Sequence, residues 1–545
     1  MNIKVVSLKT MFLLFLLQAI PALSQTEPST SEAASGLTSE EAMQKMERFL
    51  EILDAKYMDQ VDEGMLVQDA IVSVLEKLDP HSVYFTEEEM KQANEPLEGN
   101  FEGVGIQFNI LKDTIIVVNT ISGGPSEKVG VLSGDKIVII DGEEVAGTGI
   151  SNKGVTDRLR GKKGTSVDVA IKRKGISKNL EFKITRDVIP LYSVDASYMA
   201  DPETGYIRVS KFAATTAEEF NSALNELKAE GMQDLILDLR GNGGGYMSAA
   251  VAMADEFLDE GKLVVYAEGK SYPRQNDYAT SYGALQEGKV IVLIDEGSAS
   301  ASEIVSGALQ DWDRALVIGR RSFGKGLVQR AFTLPDGSAM RLTVSRYFTP
   351  SGRSIQKPYE EGLEKYHEDI ANRFKEGELF SDTTISFPDS LKYYTKRANR
   401  LVYGGGGIMP DIFIPIDTSW VSDYYSDVVG RGIVNQFALS YVNDNREDFN
   451  AKFKDVVSFE KDFLMDENVW NAFFAYAEND SVTYDEEQFK QCEKRLSVFI
   501  KSSIARDLFG FEAFWYVYNT ADDAYLKALE AMHDNTFKKM KITAK

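Results

Sequence analysis

Apolar positions along this chain recur with two periods. From Thr38 onward Met43, Met46, Phe49, Leu50 and Leu53 share one helical face. Met65, Ala70, Ile71, Val74, Leu75 and Leu78 mark a second helix, closed by Asp79-Pro80-His81-Ser82. Residues 98–186 read instead as short strands between glycine turns. Gly103-Val104-Gly105-Ile106-Gln107-Phe108 runs from a loop into a strand, residues 115–118 form another, and residues 131–142 are a turn, strand and turn. From Ile189 strands alternate with helices, the pattern of a layered α/β core. Residues 206–209 and 235–239 are strands around a helix at 216–230, and a further helix spans 249–258. Later strands are predicted at 339–344 and 346–348. Residues 421–545 return to helical stripes: Trp470, Phe473, Phe474 and Ala477; Leu496, Phe499 and Ile500; then Phe511, Phe514, Trp515 and Tyr518. Such aromatic stripes at helical spacing are core positions of a helical bundle.

Residues 290–329 carry the densest pattern. A β-branched run at 290–294 is followed by a small-residue loop, a helix marked by Ile304, Val305, Ala308 and Leu309, a strand at 315–318, and a third strand begun by residues 323–329. Ser300 therefore falls on a strand-to-helix turn, and Lys325 lies between two glycines. A serine hydroxyl is a poor nucleophile until a neighbour takes its proton, and a lysine can do so when burial depresses its pKa. Taken alone, Ser300-Ala301-Ser302-Glu303 is also a helix capping box, and glycines around a lysine also mark a turn. A second feature bears on the choice. The strand at 235–239 runs into Arg240-Gly241-Asn242-Gly243-Gly244-Gly245 before a helix, so backbone N–H groups can converge on an anion. The glycine-lysine-serine/threonine ending of a phosphate loop is absent. An oxyanion hole fits better, with one donor from Gly244 or Gly245 and the other from Ala301.

The stretches G-S-A-S-A-S-E-I at 297–304 and F-G-K-G-L-V-Q at 323–329 resemble the carboxyl-terminal processing peptidases, or tail-specific proteases, a family of Ser/Lys serine peptidases. The resemblance extends over about residues 64–415 and includes YFTPSGRSIQ at 347–356 and GGGGIMPDIFIP at 404–415. It implies Ser300 as nucleophile, Lys325 as general base and Gln329 as the residue that orients the lysine. On a strand Lys325 and Gln329 would share a face yet stand about 13 Å apart at the backbone; a hydrogen bond between them requires side chains that lean together or a bend at Gly326, so the role of Gln329 rests on the resemblance. Residues 98–186 resemble a PDZ domain, in which the loop Gly103, Val104, Gly105 and Ile106 would hold a chain-terminal carboxylate and a pocket beside Ile106 and Phe108 would take an apolar last side chain. The fold implied is multidomain α/β: an N-terminal helical segment (38–97), a β-rich PDZ-like domain (98–186), an α/β peptidase core with layers like those of crotonases and Clp proteases (187–420), and a C-terminal helical bundle (421–545). Residues 359–400 read as a charged insertion without chemistry.

Composition narrows the reading. The 545 residues carry a net charge of -24, which argues against a cationic nucleic-acid groove. Lys4 and Lys9, an apolar run at 11–20 and Ala22-Leu23-Ser24 predict a signal peptide cut after residue 24, a leader at 25–37, and a periplasmic product. Cys492 is the sole cysteine, so no intrachain disulfide can form. His81, His367 and His533 are the only histidines and fall outside the predicted strand-helix core, which disfavours a Ser-His-Asp triad. No spacing suits zinc, and neither a metal nor an organic cofactor is implied. Expected partners are proteins or peptides with apolar free C-termini, with a homodimer contact through the helical segments and a regulatory adaptor left open. A silent PDZ scaffold and a non-peptidase acyl-handling enzyme on a related core, such as a thioester hydratase, are the alternatives.

Overall fold

The computed structural model describes residues 37–121 and 123–542. The predicted signal segment at 1–24 and all but the last residue of the 25–37 leader lie outside the described residues. Among the described residues no helix is long and apolar enough to cross a membrane. The chain divides into two compact units between Ile71 and Val72. In the first, the helix Ser39–Lys56 is capped by Thr38, whose hydroxyl accepts the Glu41 N–H while the Glu41 carboxylate accepts the Thr38 N–H. No residue of that helix is buried.

The second unit is built on a six-stranded sheet in the order Val194–Met199, Thr204–Val209, Asp234–Asp238, Val290–Ile294, Leu316–Gly319 and Ile412–Phe413. The first pair is antiparallel and the others are parallel. Its central strands are unbroken apolar runs because helices cover both faces. Side chains alternate between the faces. Leu235, Leu237, Val290, Val292 and Ile294 pack with the helices Thr216–Glu230, Met247–Asp255 and Ala301–Asp311. Ile236, Ile291, Leu293, Leu316 and Ile318 point the other way, onto Tyr525, Ala528, Ala531 and Met532 of the helix Asp523–His533.

A second sheet lies beside the first. Ala339–Phe348 pairs with Leu327–Thr333 along one edge, and with Val83–Phe85 and Leu263–Gly269 along the other. It is one continuous strand rather than the two predicted, because its pairing with Leu327–Thr333 runs through Ser345. The hairpin Leu263–Gly269 and Tyr272–Tyr278 and the helix Glu87–Glu98 were not anticipated. The segment predicted as an idle insertion contains the helix Leu363–Lys375, whose Tyr366 and Arg373 are buried, so it is part of the packed structure.

The third sheet, antiparallel, runs Ile106–Leu111, Thr114–Thr120, Lys136–Ile140, Ser166–Lys172, Leu180–Thr185. Ile106–Leu111 is its edge. The C-terminal helices have their own aromatic core, including Phe437, Phe459, Phe473, Leu496 and Ile500. They meet the third sheet through Leu439, packed on Ile116 and Val118.

Candidate active site

The strand Val290–Ile294 is wholly buried, and the chain leaves it through a tight turn into the helix Ala301–Asp311. Ser300 sits on that turn with φ 55° and ψ −110°. Positive φ in a non-glycine residue costs on the order of 1–3 kcal/mol and persists only where the surroundings enforce it. Two side chains do so. The Ser300 N–H donates to Glu303 Oε2 at 2.8 Å, and the Ser300 carbonyl accepts from the Tyr347 hydroxyl at 3.0 Å.

The same two side chains hold the lysine segment. Glu303 Oε2 also accepts the Lys325 N–H at 2.9 Å, and Oε1 accepts the Gly324 N–H at 2.7 Å and the Ser322 hydroxyl. Tyr347 also donates to the Lys325 carbonyl at 2.7 Å, so one phenolic proton is shared between the two backbones. Glu303, read from sequence as half of a capping box, is thus a buried carboxylate with four donors. Burial pushes its pKa up to about 7 against the pull of those bonds. The Lys325 pKa is lowered, first by burial and then by the charge of Arg341, while Glu303 and Asp79 act against the shift. No hydrogen bond or ion pair engages Lys325 Nζ among the described residues, and Ser300 and Lys325 are joined through their shared clamps rather than directly.

Gln329 lies on a strand that does not include Lys325. The strand Leu327–Thr333 begins after Lys325, so strand spacing does not connect the two, and no hydrogen bond joins them. Gln329 Nε2 donates to Thr343 Oγ1 at 3.3 Å, and Thr343 Oγ1 donates to Asp79 Oδ1 at 2.9 Å. A hydroxyl has one proton, and here the carboxylate takes it. Thr343 therefore faces Gln329 as an acceptor, which fixes the amide with its NH₂ toward Thr343 and leaves its oxygen as the uncommitted end. Asp79 is held in turn by the Ser82 hydroxyl at 2.6 Å and the N–H groups of His81 and Ser82.

Of the two candidate glycine donors, the Gly244 N–H is already bound to Asn242 Oδ1 at 2.9 Å. Among the described residues the N–H groups of Gly245 and Ala301 have no hydrogen-bond partner. Gly244 lies directly against the Ser300 turn: a Cβ there would stand 2.8 Å from Ser300 Cβ and 2.8 Å from the Ala299 carbonyl oxygen. Asn242, fully buried, ties this loop to the turn, since its carbonyl accepts the Ala299 N–H at 2.9 Å and the Ser302 hydroxyl at 2.8 Å.

Asp79, His81, Tyr347, Glu303, Asn242 and Thr343 were not singled out as site residues from sequence. His81 does reach this region, contrary to the reading that it lies apart. Burial, and then the Lys325 charge, lower its pKa to about 4, and its Nε2 lies 2.8 Å from the Tyr366 hydroxyl. No histidine bonds to Ser300. Among the described residues no group of three or more His, Cys, Asp or Glu is placed to hold a metal ion.

At the third sheet, the loop Gly103, Val104, Gly105, Ile106 opens the edge strand. The Val104 carbonyl is anchored by the Ser126 hydroxyl at 2.7 Å, and the N–H groups of Val104 and Gly105 have no partner among the described residues. A cavity of about 170 Å³ adjoins the loop, lined by Phe101, Ile106 and Phe108 and, from the helix Asn152–Leu159, by Thr156 and Leu159. Arg160, also on its wall, stacks 4.5 Å from the Phe101 ring centre and pairs with Glu95.

The chain is similar to known proteins over most of its length. Peptidase family S41 matches residues 203–365, the PDZ domain matches 103–184, the activating protease CtpB N-terminal domain matches 6–89, and a family of unknown function, DUF8443, matches 424–510. The carboxy-terminal processing protease CtpB of Bacillus subtilis (strain 168) is 36% identical over 372 residues, 67% of this chain and 74% of that protein. A carboxy-terminal-processing protease of Bartonella bacilliformis is 38% identical over 323 residues, 57% of this chain and 73% of that protein. A solved photosystem II D1 C-terminal processing protease is 30% identical, covering 58% of this chain and 83% of the other, with a TM-score of 0.34.

Proposed function

The chain belongs to the carboxy-terminal processing proteases of peptidase family S41, and from that premise we propose how this serine peptidase works and on what. Neutral Lys325 takes the proton from Ser300 Oγ as the oxygen attacks a substrate carbonyl. The new oxyanion lies between the N–H groups of Gly245 and Ala301, the two donors left unengaged. Lys325, now an ammonium, returns the proton to the leaving amine as the C–N bond breaks. Water then attacks the acyl-enzyme and gives a proton to Lys325, which passes it to Ser300 Oγ as the ester C–O bond breaks; the acid product ionises to a carboxylate, and Ser300 and neutral Lys325 are restored. Gln329 steadies the lysine through the amide oxygen that Thr343 leaves free. The PDZ domain selects substrates by a free C-terminus, whose carboxylate takes the Val104 and Gly105 N–H groups while an apolar last side chain fills the cavity beside Ile106 and Phe108. The N-terminal signal features support export to the periplasm.

The observation that carries the Ser/Lys assignment is the pair of clamps, Glu303 and Tyr347, each bonded both to the Ser300 turn and to the Lys325 segment. The test is labelling by a fluorophosphonate, followed by peptide mapping, beside steady-state hydrolysis. Ser300 is the expected site. Ser300→Ala and Lys325→Ala should each lose on the order of a thousandfold or more in kcat while melting near the parent temperature. Near-normal turnover in Lys325→Ala would refute the assignment.

A further inference from the structure

A second cavity, of about 440 Å³, stands at the other end of the same PDZ groove. The first cavity lies where the strand Ile106–Leu111 begins and the helix Asn152–Leu159 ends; the second lies where that strand ends, at Asn109, Ile110 and Leu111, and the helix begins, at Ser151 and Asn152. Asn152, Thr156 and Leu159 are spaced four and three residues apart, so one helical face looks along the whole groove. The far wall belongs to another part of the chain. Gly432, the N-cap of the helix Ile433–Lys452, contributes it together with Asn435, Gln436 and Leu439, which share one face of that helix. That helix lies within the 424–510 segment matched by the family of unknown function.

We infer that this cavity is an upstream subsite for the polypeptide tail whose C-terminus the PDZ loop holds, so that the C-terminal helical region reads substrate sequence. The inference rests on the C-terminus reading above. A chain end anchored at Val104 and Gly105 has one open course: along the free edge Ile106–Leu111, antiparallel to it. Five residue steps at about 3.4 Å carry it roughly 17 Å, which brings the residues about three to five positions before the C-terminus into the cavity. Its chemistry defines what fits. No charged side chain lines it. Gln436, half-buried, and Asn109 and Asn152 have side-chain amides without a hydrogen-bond partner among the described residues, and each amide both donates and accepts. Ile110, Leu111 and Leu439 supply apolar surface. The site therefore takes extended backbone bearing neutral side chains. A carboxylate or ammonium there would meet no oppositely charged side chain on the lining.

Calorimetric titration of acetylated peptides into the full-chain Ser300→Ala protein tests this. Three peptides share an apolar free C-terminus: one of four residues, one of eight with neutral upstream residues, and one of eight with glutamates at positions three to five before the end. The neutral eight-residue peptide should bind about tenfold more tightly than the four-residue one, and the glutamate peptide no better than the latter. Gln436→Trp fills the cavity from the helix and Asn109→Trp from the exposed strand end, and in both the length advantage should fall to near one. A length advantage that survives both substitutions overturns the inference, and so does its absence in the parent. An amidated four-residue peptide separates the two readings. If it binds as well as the acid, the C-terminus reading fails and takes the subsite with it. If acid preference stays intact without length dependence, the subsite alone is wrong.

Discussion

Lys325 must be neutral to accept a proton, so activity should rise with pH through its lowered pKa. Two neighbours move that limb in opposite directions. The Asp79 charge favours the ammonium, so Asp79→Asn should shift the limb to lower pH. The Arg341 charge opposes it, so Arg341→Met should shift the limb to higher pH. Acylation rates across a pH series give both displacements, and parallel profiles in the two variants would dismiss Lys325 as the titrating group. Thr343→Val keeps every charge but removes the acceptor that sets the Gln329 amide. It should lower kcat about ten- to a hundredfold with the limb in place. Glu303 acts on stability as well. Its folded pKa of about 7 exceeds the ordinary 4.5 of a glutamate, so the native state binds a proton more tightly than the unfolded one. Its contribution is fully present below about pH 4.5 and is lost as pH rises through 7. Glu303→Gln should flatten that decline in urea midpoints taken at pH 5 and pH 8, and should slow turnover because an amide NH₂ cannot accept the N–H groups the carboxylate accepts.

The glycine loop and the serine turn act as one element, and their closeness sets a sharp limit on substitution. Gly244 has φ 101° and approaches Ser300 Cβ so nearly that a methyl group cannot fit without moving the turn. Gly244→Ala should lower kcat by about a hundredfold or more, with KM for short peptides little changed and fluorophosphonate labelling slowed alongside. An unchanged labelling rate would mean that the two loops tolerate separation. This closeness also marks how far the sequence could be read. Strands such as Val290–Ile294 and helices such as Thr216–Glu230 were legible because their apolar periods record which face is buried. The two loops were legible as glycine- and serine-rich turns in the right order. What joins them was not. Asn242, Glu303 and Tyr347 bond across sixty residues or fewer in sequence, but as buried polar groups they leave no period. The Gly244 or Gly245 ambiguity arose for the same reason, since only the fold reveals that Asn242 occupies one amide. For Lys325 and Gln329 the spacing left two routes to contact, side chains leaning together or a bend at Gly326, and only the fold reveals that the Gly326 N–H goes to Gln356 Oε1 at 2.8 Å and that the strand begins at Leu327.

At the scale of the whole molecule, the last helices do more than append a bundle to a finished enzyme. The central sheet has two apolar faces, and one of them is covered by Tyr525, Ala528, Ala531 and Met532. Beside that contact a buried ionic group crosses the same boundary. Asp238, at the end of a central strand, accepts from Arg208, Arg240 and the Tyr206 hydroxyl, and Arg240 also pairs with Asp522 at 2.7 Å. Burial would raise the Asp238 pKa, but the charges of Arg240 and Arg208 overcome it and hold the group well below the usual carboxylate range. Arg240 itself opens the glycine loop, so the C-terminal region is bonded to the element that carries one of the proposed oxyanion donors, Gly245. The helix Asp523–His533 should therefore be required for the catalytic fold. Ala528→Asp would bury a carboxylate against Ile291 and Leu293, a change that costs more than about 4 kcal/mol in comparable cores. It should lower the urea midpoint of the central sheet and reduce the fraction of protein that a fluorophosphonate labels at Ser300. Leu526→Asp, on the exposed side of the same helix, should leave the unfolding free energy within about 0.5 kcal/mol of the parent. If Ala528→Asp melted the C-terminal helices alone and left labelling at Ser300 complete, the sheet would be stable without its second layer, and the helices would be an attachment after all.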